Sequence, residues 1–466
     1  MMAAMPAFEA LSRRGFIAGA CSASVAAAQS RAVLFHVNPQ KRLARIPADF
    51  LGLGYEVSSV SENGVSESGL LSAGNRPYVQ MVRRLSGEGV IRIGGNTSDY
   101  ARWSPDGPAV SSPKATVVDA QGVRALGTFL RATGWSLIWG FNLGRGSAEQ
   151  AAEEAVAVAQ SAGDRLLAFE IGNEPDLFPG VHRPGNYSYT DYFAEYQRFK
   201  RAIRARLPKA PFAGPDVIVH ADWLEQFAST EAADLKLFTY HYYAEGPPDN
   251  ASSTIETLLK PSPILPGLLA RLEAASRAAR VPYRICEANS CFGGGKPGVS
   301  DTMAAALWGL DFLFTLAQAG AGGVNMETGV NHLGFLSYYS PIGLDSGHKF
   351  IATPLYYGML AFSQASAGHL VGGSFDAGGL NVTGYAVDSD HGEVWLTLIN
   401  KEAARDVQIR AACPGIATAR VTRLSAPSLS SKEGVRLSES AETVRVTGGE
   451  LEIALPAASA ALLRLR

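Results

Sequence analysis

Residues 169–178 read FEIGNEPDLF: an apolar run that stops at Gly172 and then presents Asn173, Glu174 and Pro175. Taken alone, the stretch has two readings. Gly-Asn-Glu-Pro is a turn sequence in which Pro175 opens the next segment and Glu174 is merely solvated. Alternatively, a buried strand delivers an amide and a carboxylate to a site at its end. The sequence around it decides.

From residue 50 onward, short apolar runs alternate with segments whose apolar residues recur at three and four. The runs are FLGLGYEV (50–57), GVIRIGG (89–95), SLIWGFNL (136–143), LLAFEIGN (166–173), PFAGPDV (211–217), LKLFTYHYY (235–243), PYRICEAN (282–289) and GGVNMET (322–328). Eight strand–helix units in succession imply an α/β fold, a closed (β/α)8 barrel over 46–365 with its active site where the strands end. After residue 366 the pattern turns to period-two alternation with Gly, Asp and Asn at the turns, as in EVWLTLIN and DVQIRAA. This predicts a β-sandwich over 366–466, joined by strand from 31–45.

Composition narrows the function classes. The 466 residues carry 41 Lys and Arg against 43 Asp and Glu, a net charge of -2, so no basic field awaits duplex nucleic acid. Residues 1–28 place Arg13-Arg14 before an Ala-rich apolar run, the layout of a cleavable export signal of the twin-arginine type. That implies a bacterial protein delivered to the periplasm or beyond, with no later stretch able to span a membrane. Cys21 falls in this leader. The remaining Cys286, Cys291 and Cys413 have neither metal-ligand spacing nor a disulfide framework.

Glu174 follows the fourth strand, and RICEANSCFGGGKPG places Glu287 at the end of the seventh. Strands four and seven face each other across such a barrel, so the two carboxyls can approach to the roughly 5–5.5 Å that retaining glycoside hydrolysis needs. If strand alternation is regular and Glu287 points inward, Cys286 points toward the helices.

The motifs GGNTSDY (94–100), FEIGNEPDLF (169–178), YHYY (240–243) and EANSCFGGGKPGVSDTMAAALWGLDFL (287–313) resemble those of glycoside hydrolase family 79, the heparanases and β-glucuronidases of clan A. The resemblance implies that Glu174 is the general acid/base and Glu287 the nucleophile, with Asn173 on the sugar 2-hydroxyl and Tyr243 beside the nucleophile. It assigns a uronate carboxylate to the backbone of Gly293 and Gly294 and to a tyrosine of the eighth loop, GVNHLGFLSYYSP (329–341). There the family's Asn-Tyr-His is replaced by adjacent Asn331 and His332, leaving Tyr339 as the candidate and Tyr338 as the alternative. Phe292 stands where a tyrosine is common. Glu56, Asn96 and Asp99 fall at the hydroxyl-binding positions, Asp99 being equally placed to cap a helix. Arg92 suits either a core ion pair or contact with Glu287, and His241 suits core packing.

The resemblance therefore implies an exported retaining β-glucuronidase of the heparanase type, acting on glucuronic acid-containing oligo- or polysaccharide such as heparan sulfate without metal or organic cofactor. Arg145, His182, Arg183, Lys296 and Lys349 are the candidate cations for a sulfated chain. The basic cluster that heparanase carries after strand five is missing from GPDVIVHADW (214–223). An exo-acting β-glucuronidase is the alternative, and a non-catalytic carbohydrate-binding barrel the remote one.

Overall fold

The computed structural model describes residues 33–63, 69–108, 115–329, 337–438 and 442–466. The leader with Cys21, and Asn331 and His332, lie outside them. Eight parallel strands close into a barrel in sequence order: Leu51–Glu56, Val90–Gly94, Ser136–Phe141, Leu166–Ile171, Phe212–Val217, Leu235–Glu245, Tyr283–Cys291 and Val324–Glu327. Each lies within two residues of its expected bounds. Helices begin where side chains satisfy their free amides: Asp119 accepts from Gly122 at the head of Ala120–Thr133, and Ser147 from Gln150 at the head of Ala148–Ala162.

Two breaks in strand pairing matter for function. Against strand six, Ile285 faces Tyr240 and Glu287 faces His241, so Cys286 is an extra residue on strand seven. The same excess appears against strand eight. On strand five, Pro215 faces Thr239 and Val217 faces Tyr240, leaving Asp216 bulged at φ 62°. A bulge reverses the inside–outside phase of the residues beyond it.

That phase change corrects the expectation for Cys286. It packs inside the barrel with Val90, Ile138, Ala168, Ala213 and Leu237. Were strand seven regular, an inward Cys286 would turn Glu287 toward the helices; the bulge turns it to the barrel axis.

Apart from two short two-stranded pairs, Ala101–Trp103 with Thr116–Val118 and Ile342–Leu344 with Phe350–Ala352, the remaining strands form one continuous ten-stranded sheet. Val33–Arg45 pairs antiparallel with Gly368–Asp376 and parallel with Val407–Ala412, so a strand that precedes the barrel in sequence is embedded among those that follow it. The sheet curls until its inner face packs on itself, Leu396, Leu398 and Leu463 sharing a core with Ile409, Leu451 and Ile453. The two layers expected of a sandwich are thus halves of a single sheet. Helix Met303–Gln318 is buried on nearly every face because the sheet covers the side that the barrel does not. Its Asp311 accepts from Thr383 and Tyr385 at 2.6 Å and pairs with Lys401 at 2.5 Å.

Candidate active site

Strand two sends a buried arginine to the barrel axis. Arg92 donates to Glu287 Oε2 at 2.6 Å, Asp216 Oδ2 at 2.6 Å, Asn173 Oδ1 at 2.9 Å and Glu170 Oε2 at 3.2 Å. Tyr243 donates to the other oxygen of Glu287 at 2.8 Å. Both oxygens of the expected nucleophile are therefore held. The two readings of Arg92 converge: it is a core ion pair and a direct partner of Glu287.

His241 does more than fill the core. Its Nδ1 lies 3.0 Å from Glu174 Oε1 and its Nε2 2.7 Å from Asp216 Oδ1. Burial disfavours the imidazolium, but the charges of Asp216 and Glu287 outweigh it and hold the His241 pKa well above its ordinary value. Burial also opposes ionisation of Asp216, yet Arg92 and His241 prevail and keep it at about 2.

Glu174 sits at the turn after strand four in left-handed backbone, φ 48° and ψ 53°, a conformation costing a side-chain-bearing residue roughly 1–3 kcal/mol. Its amide donates to the carbonyl of bulged Asp216 at 2.9 Å, which fixes that turn. Burial raises its pKa, opposed by the hydrogen bond from His241 and reinforced by the charge of Glu287. A carboxyl oxygen of Glu174 and one of Glu287 lie within 4.8 Å of each other.

These groups open into a cavity of about 750 Å³. Glu56, Asn96, Tyr243, Gly293, Gly294 and Tyr339 line it, as does Tyr338. Glu56 accepts from the amides of Asn96 and Thr97 at 3.1 and 2.7 Å, and burial lifts its carboxyl to about 7 despite the Thr97 donors. Asn173 lies just beneath, its amide 3.4 Å from Asn96 Oδ1. Gly293, Gly294 and Gly295 all have φ between 74° and 93°, and their amides donate to no acceptor among the described residues. Unpaired amides of a turn can serve as an anion receptor. Tyr338 N–H donates to Gly294 O at 2.6 Å, and the Tyr339 ring lies 6.3 Å from that of Tyr243, so both candidate tyrosines abut this receptor.

Asp99 stands apart. Its buried carboxylate accepts from Gly144 N–H at 3.0 Å, tying the loop after strand two to that after strand three; it neither caps a long helix nor lines the cavity. The candidate cations are also placed elsewhere. Arg145 covers the Tyr100 ring at 4.3 Å, His182 packs on Tyr100 and Phe178, Arg183 pairs with Glu195, and Lys296 donates to Asn250 O. Lys349 does not line the cavity, and no Lys or Arg does so among the described residues.

Three acids of the site escaped the sequence reading. Glu170 is fully buried beneath Arg92, its pKa raised by burial and by Asp216 to about 7 against the pull of Arg92. Asp216 occupies the strand-five bulge. Glu327 ends strand eight on the cavity wall with Oε2 unpartnered, its pKa raised well above the ordinary range by burial, Glu287 and Glu56. The available signal was an acid inside an apolar barrel strand, in FEIG, GPDV and NMET, where a buried charge needs partners from other strands.

No family model matches the chain. It is 28% identical over 355 residues to a β-glucuronidase of Neurospora crassa, covering 68% of this chain and 60% of that protein. It is 26% identical over 302 residues to a β-glucuronidase of Aspergillus niger, covering 58% and 55%. The matched region thus spans under two thirds of either relative. Among solved structures, a 4-O-α-L-rhamnosyl-β-D-glucuronidase from Fusarium oxysporum superimposes with a TM-score of 0.76 at 19% identity, covering 93% of this chain and 100% of that one. A family 51 arabinofuranosidase from Xanthomonas axonopodis gives 0.72 at 17%, with the same coverage. These likenesses establish the fold: a (β/α)8 barrel with a β-domain.

The site could also be asked to hold a metal, since Glu174, His241 and Glu287 offer ligand atoms within 4.8 Å of one another. Both His241 nitrogens already have carboxylate partners, and Arg92 already donates to Glu287. The positive charge a cation would bring is supplied by side chains. Among the described residues no helix is long and apolar enough to cross a membrane.

Proposed function

We propose that this protein is an exported glycoside hydrolase of clan A that releases β-linked glucuronic acid with retention of configuration. The observation that carries the reading is the approach of Glu174 and Glu287 oxygens to within 4.8 Å, the spacing of a nucleophile and proton donor and too short for a water to fit between them as an inverting pair requires. In the first step Glu287 attacks the anomeric carbon, the glycosidic bond breaks, and Glu174 gives its proton to the departing oxygen. In the second, Glu174 takes a proton from a water that attacks the same carbon, releasing Glu287. With His241 donating to Oε1, the other oxygen of Glu174 is left to carry the transferable proton.

Support for a uronate comes from the open amides of Gly293–Gly295 beside Tyr338 and Tyr339, and from the two β-glucuronidase relatives. A heparanase-type endo-enzyme would need cations around its cleft, and the described wall has none; terminal glucuronosyl residues are the better fit. The test is turnover of 4-nitrophenyl β-glucuronide against the matching glucoside. Preference for the glucuronide by more than tenfold is expected, because a site built to pair a polar group discriminates against ligands lacking it. Equal rates would remove the uronate reading. Free glucuronic acid without shortening of heparan sulfate would mark exo action, whereas intermediate-sized fragments would restore the endo reading.

A further inference from the structure

A second cavity lies behind strand six. Tyr242 and Ala244 line it, whereas Tyr243 between them lines the catalytic cavity and holds Glu287, as alternation along a strand requires. The two cavities share no lining residue. The volume of the second is about 620 Å³, within the roughly 300–1,000 Å³ of small-molecule sites. Helix Met303–Gln318 forms one wall, and the β-domain brings Thr383, Tyr385 and Lys401 to another.

The helix offers this cavity two chemically distinct rows. Residues four apart lie one above the other on a helix, so Trp308 and Phe312 form an aromatic row and Asp311 and Thr315 a polar row beside it. Phe312 stacks on both Trp308 and Tyr242, with ring centroids 5.0 and 5.4 Å apart. On the polar row, Asp311 Oδ1 accepts from Thr383 and Tyr385, and its Oδ2 from Lys401 Nζ at 2.5 Å. Lys401 is only 6% exposed, yet this is the one hydrogen bond that its ammonium makes among the described residues. An ammonium carries three N–H donors and a carboxylate oxygen accepts twice, so two donors of Lys401 and one acceptor site on Asp311 Oδ2 are left over in a buried wall.

We propose that this cavity is a second carbohydrate site, binding the ring of a neutral saccharide. The Lys401–Asp311 pair has no net charge and gives an anion no net attraction; the group that fills both open valences is one that accepts and donates at once, a hydroxyl. Neighbouring hydroxyls on one edge of a pyranose meet the pair, while the C–H face of the ring covers the aromatic row. The walls are fixed in advance. Asn381 Nδ2 donates to Leu259 O at 2.9 Å and Tyr242 to Ser262 Oγ at 3.2 Å, which ties the loop after strand six to both the β-domain and the barrel. The site goes beyond the glucuronidase reading and does not depend on it.

The chain has six tryptophans, few enough for fluorine NMR of the intact protein carrying 5-fluorotryptophan. The Trp308 resonance, assigned by its loss in Trp308→Phe, should shift saturably on addition of cellobiose, with half-saturation in the millimolar range. Lys401→Met should weaken that binding by about tenfold or more, the other five resonances reporting whether the variant keeps its fold. Ala244→Phe, which fills the cavity and leaves the ion pair in place, should abolish the shift whether or not the lysine variant folds. No shift at any soluble concentration of cellobiose, or an undiminished one in Ala244→Phe, would overturn the site. Sodium benzoate or cyclohexanol acting at lower concentration than cellobiose would overturn the saccharide in favour of an anion or a plain apolar ligand. The titration needs no turnover, so failure to hydrolyse 4-nitrophenyl β-glucuronide would sink the glucuronidase reading alone.

Discussion

Two arginines are buried in this barrel, 0% and 3% exposed, and they do different work. Arg284, near the start of strand seven, binds only neutral acceptors: Asn325 Oδ1 at 2.6 Å and the carbonyls of Phe50, Asp49 and Val324 at 3.1–3.2 Å. It stitches the beginnings of strands one, seven and eight, and Gly52 and Gly323 leave it room, since a Cβ at either would fall within 2.6 Å of its guanidinium. Arg92 meets three carboxylates instead. Burial lowers the pKa of Arg284, while around Arg92 the carboxylate charges overcome burial and raise it. Fixed dipoles make a structural clamp; a set of charged partners that includes the expected nucleophile makes a site. The two ends of a (β/α)8 barrel divide stability and chemistry in the same way.

The sharpest break in that comparison is at the carboxylates. Glu287→Gln and Glu174→Gln should each lower turnover of an unactivated glucuronide by about 1,000-fold or more, since each removes a partner in bond cleavage. Azide should rescue only the Glu174 variant on an activated substrate, giving a β-linked azide.

The arginines themselves come next. Arg92→Met should lower kcat by about 100-fold or more, as loss of a preorganised donor does. Arg284→Met strands several buried carbonyls at about 1–3 kcal/mol each, so its signature is a lower denaturation midpoint with activity per folded molecule retained. Equal effects of the two on specific activity would erase the distinction.

A smaller effect is expected at His241. Its hydrogen bond and charge pull the Glu174 pKa down, against burial. Without that pull, as in His241→Gln, the folded-state pKa of Glu174 rises and the acid stays protonated to higher pH. The alkaline limb of kcat/KM should therefore move upward, and a downward move would contradict the assignment. A purely structural histidine would lower the rate without moving the limb.

The least effect concerns a buried acid that is a partner of neither arginine. Glu154, on helix Ala148–Ala162, accepts from Trp139 Nε1 at 3.1 Å, and burial pushes its carboxyl up to about 8. Because the folded pKa lies above the unfolded one, stability is lost as pH climbs from about 4.5 toward 8. Glu154→Gln keeps an acceptor for Trp139 and removes the titration. Its Tm relative to wild type should be higher at pH 8.5 than at pH 5, by roughly 2 °C or more.

Much of this was readable from the chain. The barrel strands are apolar runs with punctuated ends, and Glu174 follows strand four while Glu287 lies on strand seven, so topology alone brings them together. The Cys286 bulge was not readable, because period-two alternation assumes an unbroken ladder and nothing in RICEAN marks the extra residue. The same limit hid Asp216. His241 read as core from its place in the apolar run LKLFTYHYY, and its ring is fully buried; what sets it apart is the pair of carboxylates brought by strands four and five, a relation between distant segments. Asp99 misled in the opposite direction, since its position in GGNTSDY does not reveal that the carboxylate turns toward Gly144. Continuity of the ten-stranded sheet likewise depends on which strands pair, not on how any one of them alternates.

The central claim is that Glu174 and Glu287, with carboxyl oxygens within 4.8 Å of each other, act on one glycosidic bond. Proton NMR of the sugar first released from 4-nitrophenyl β-glucuronide, recorded before mutarotation, tests it most directly. The account predicts β-glucuronic acid as the initial product, with the α anomer growing in later. Initial release of the α anomer would contradict it.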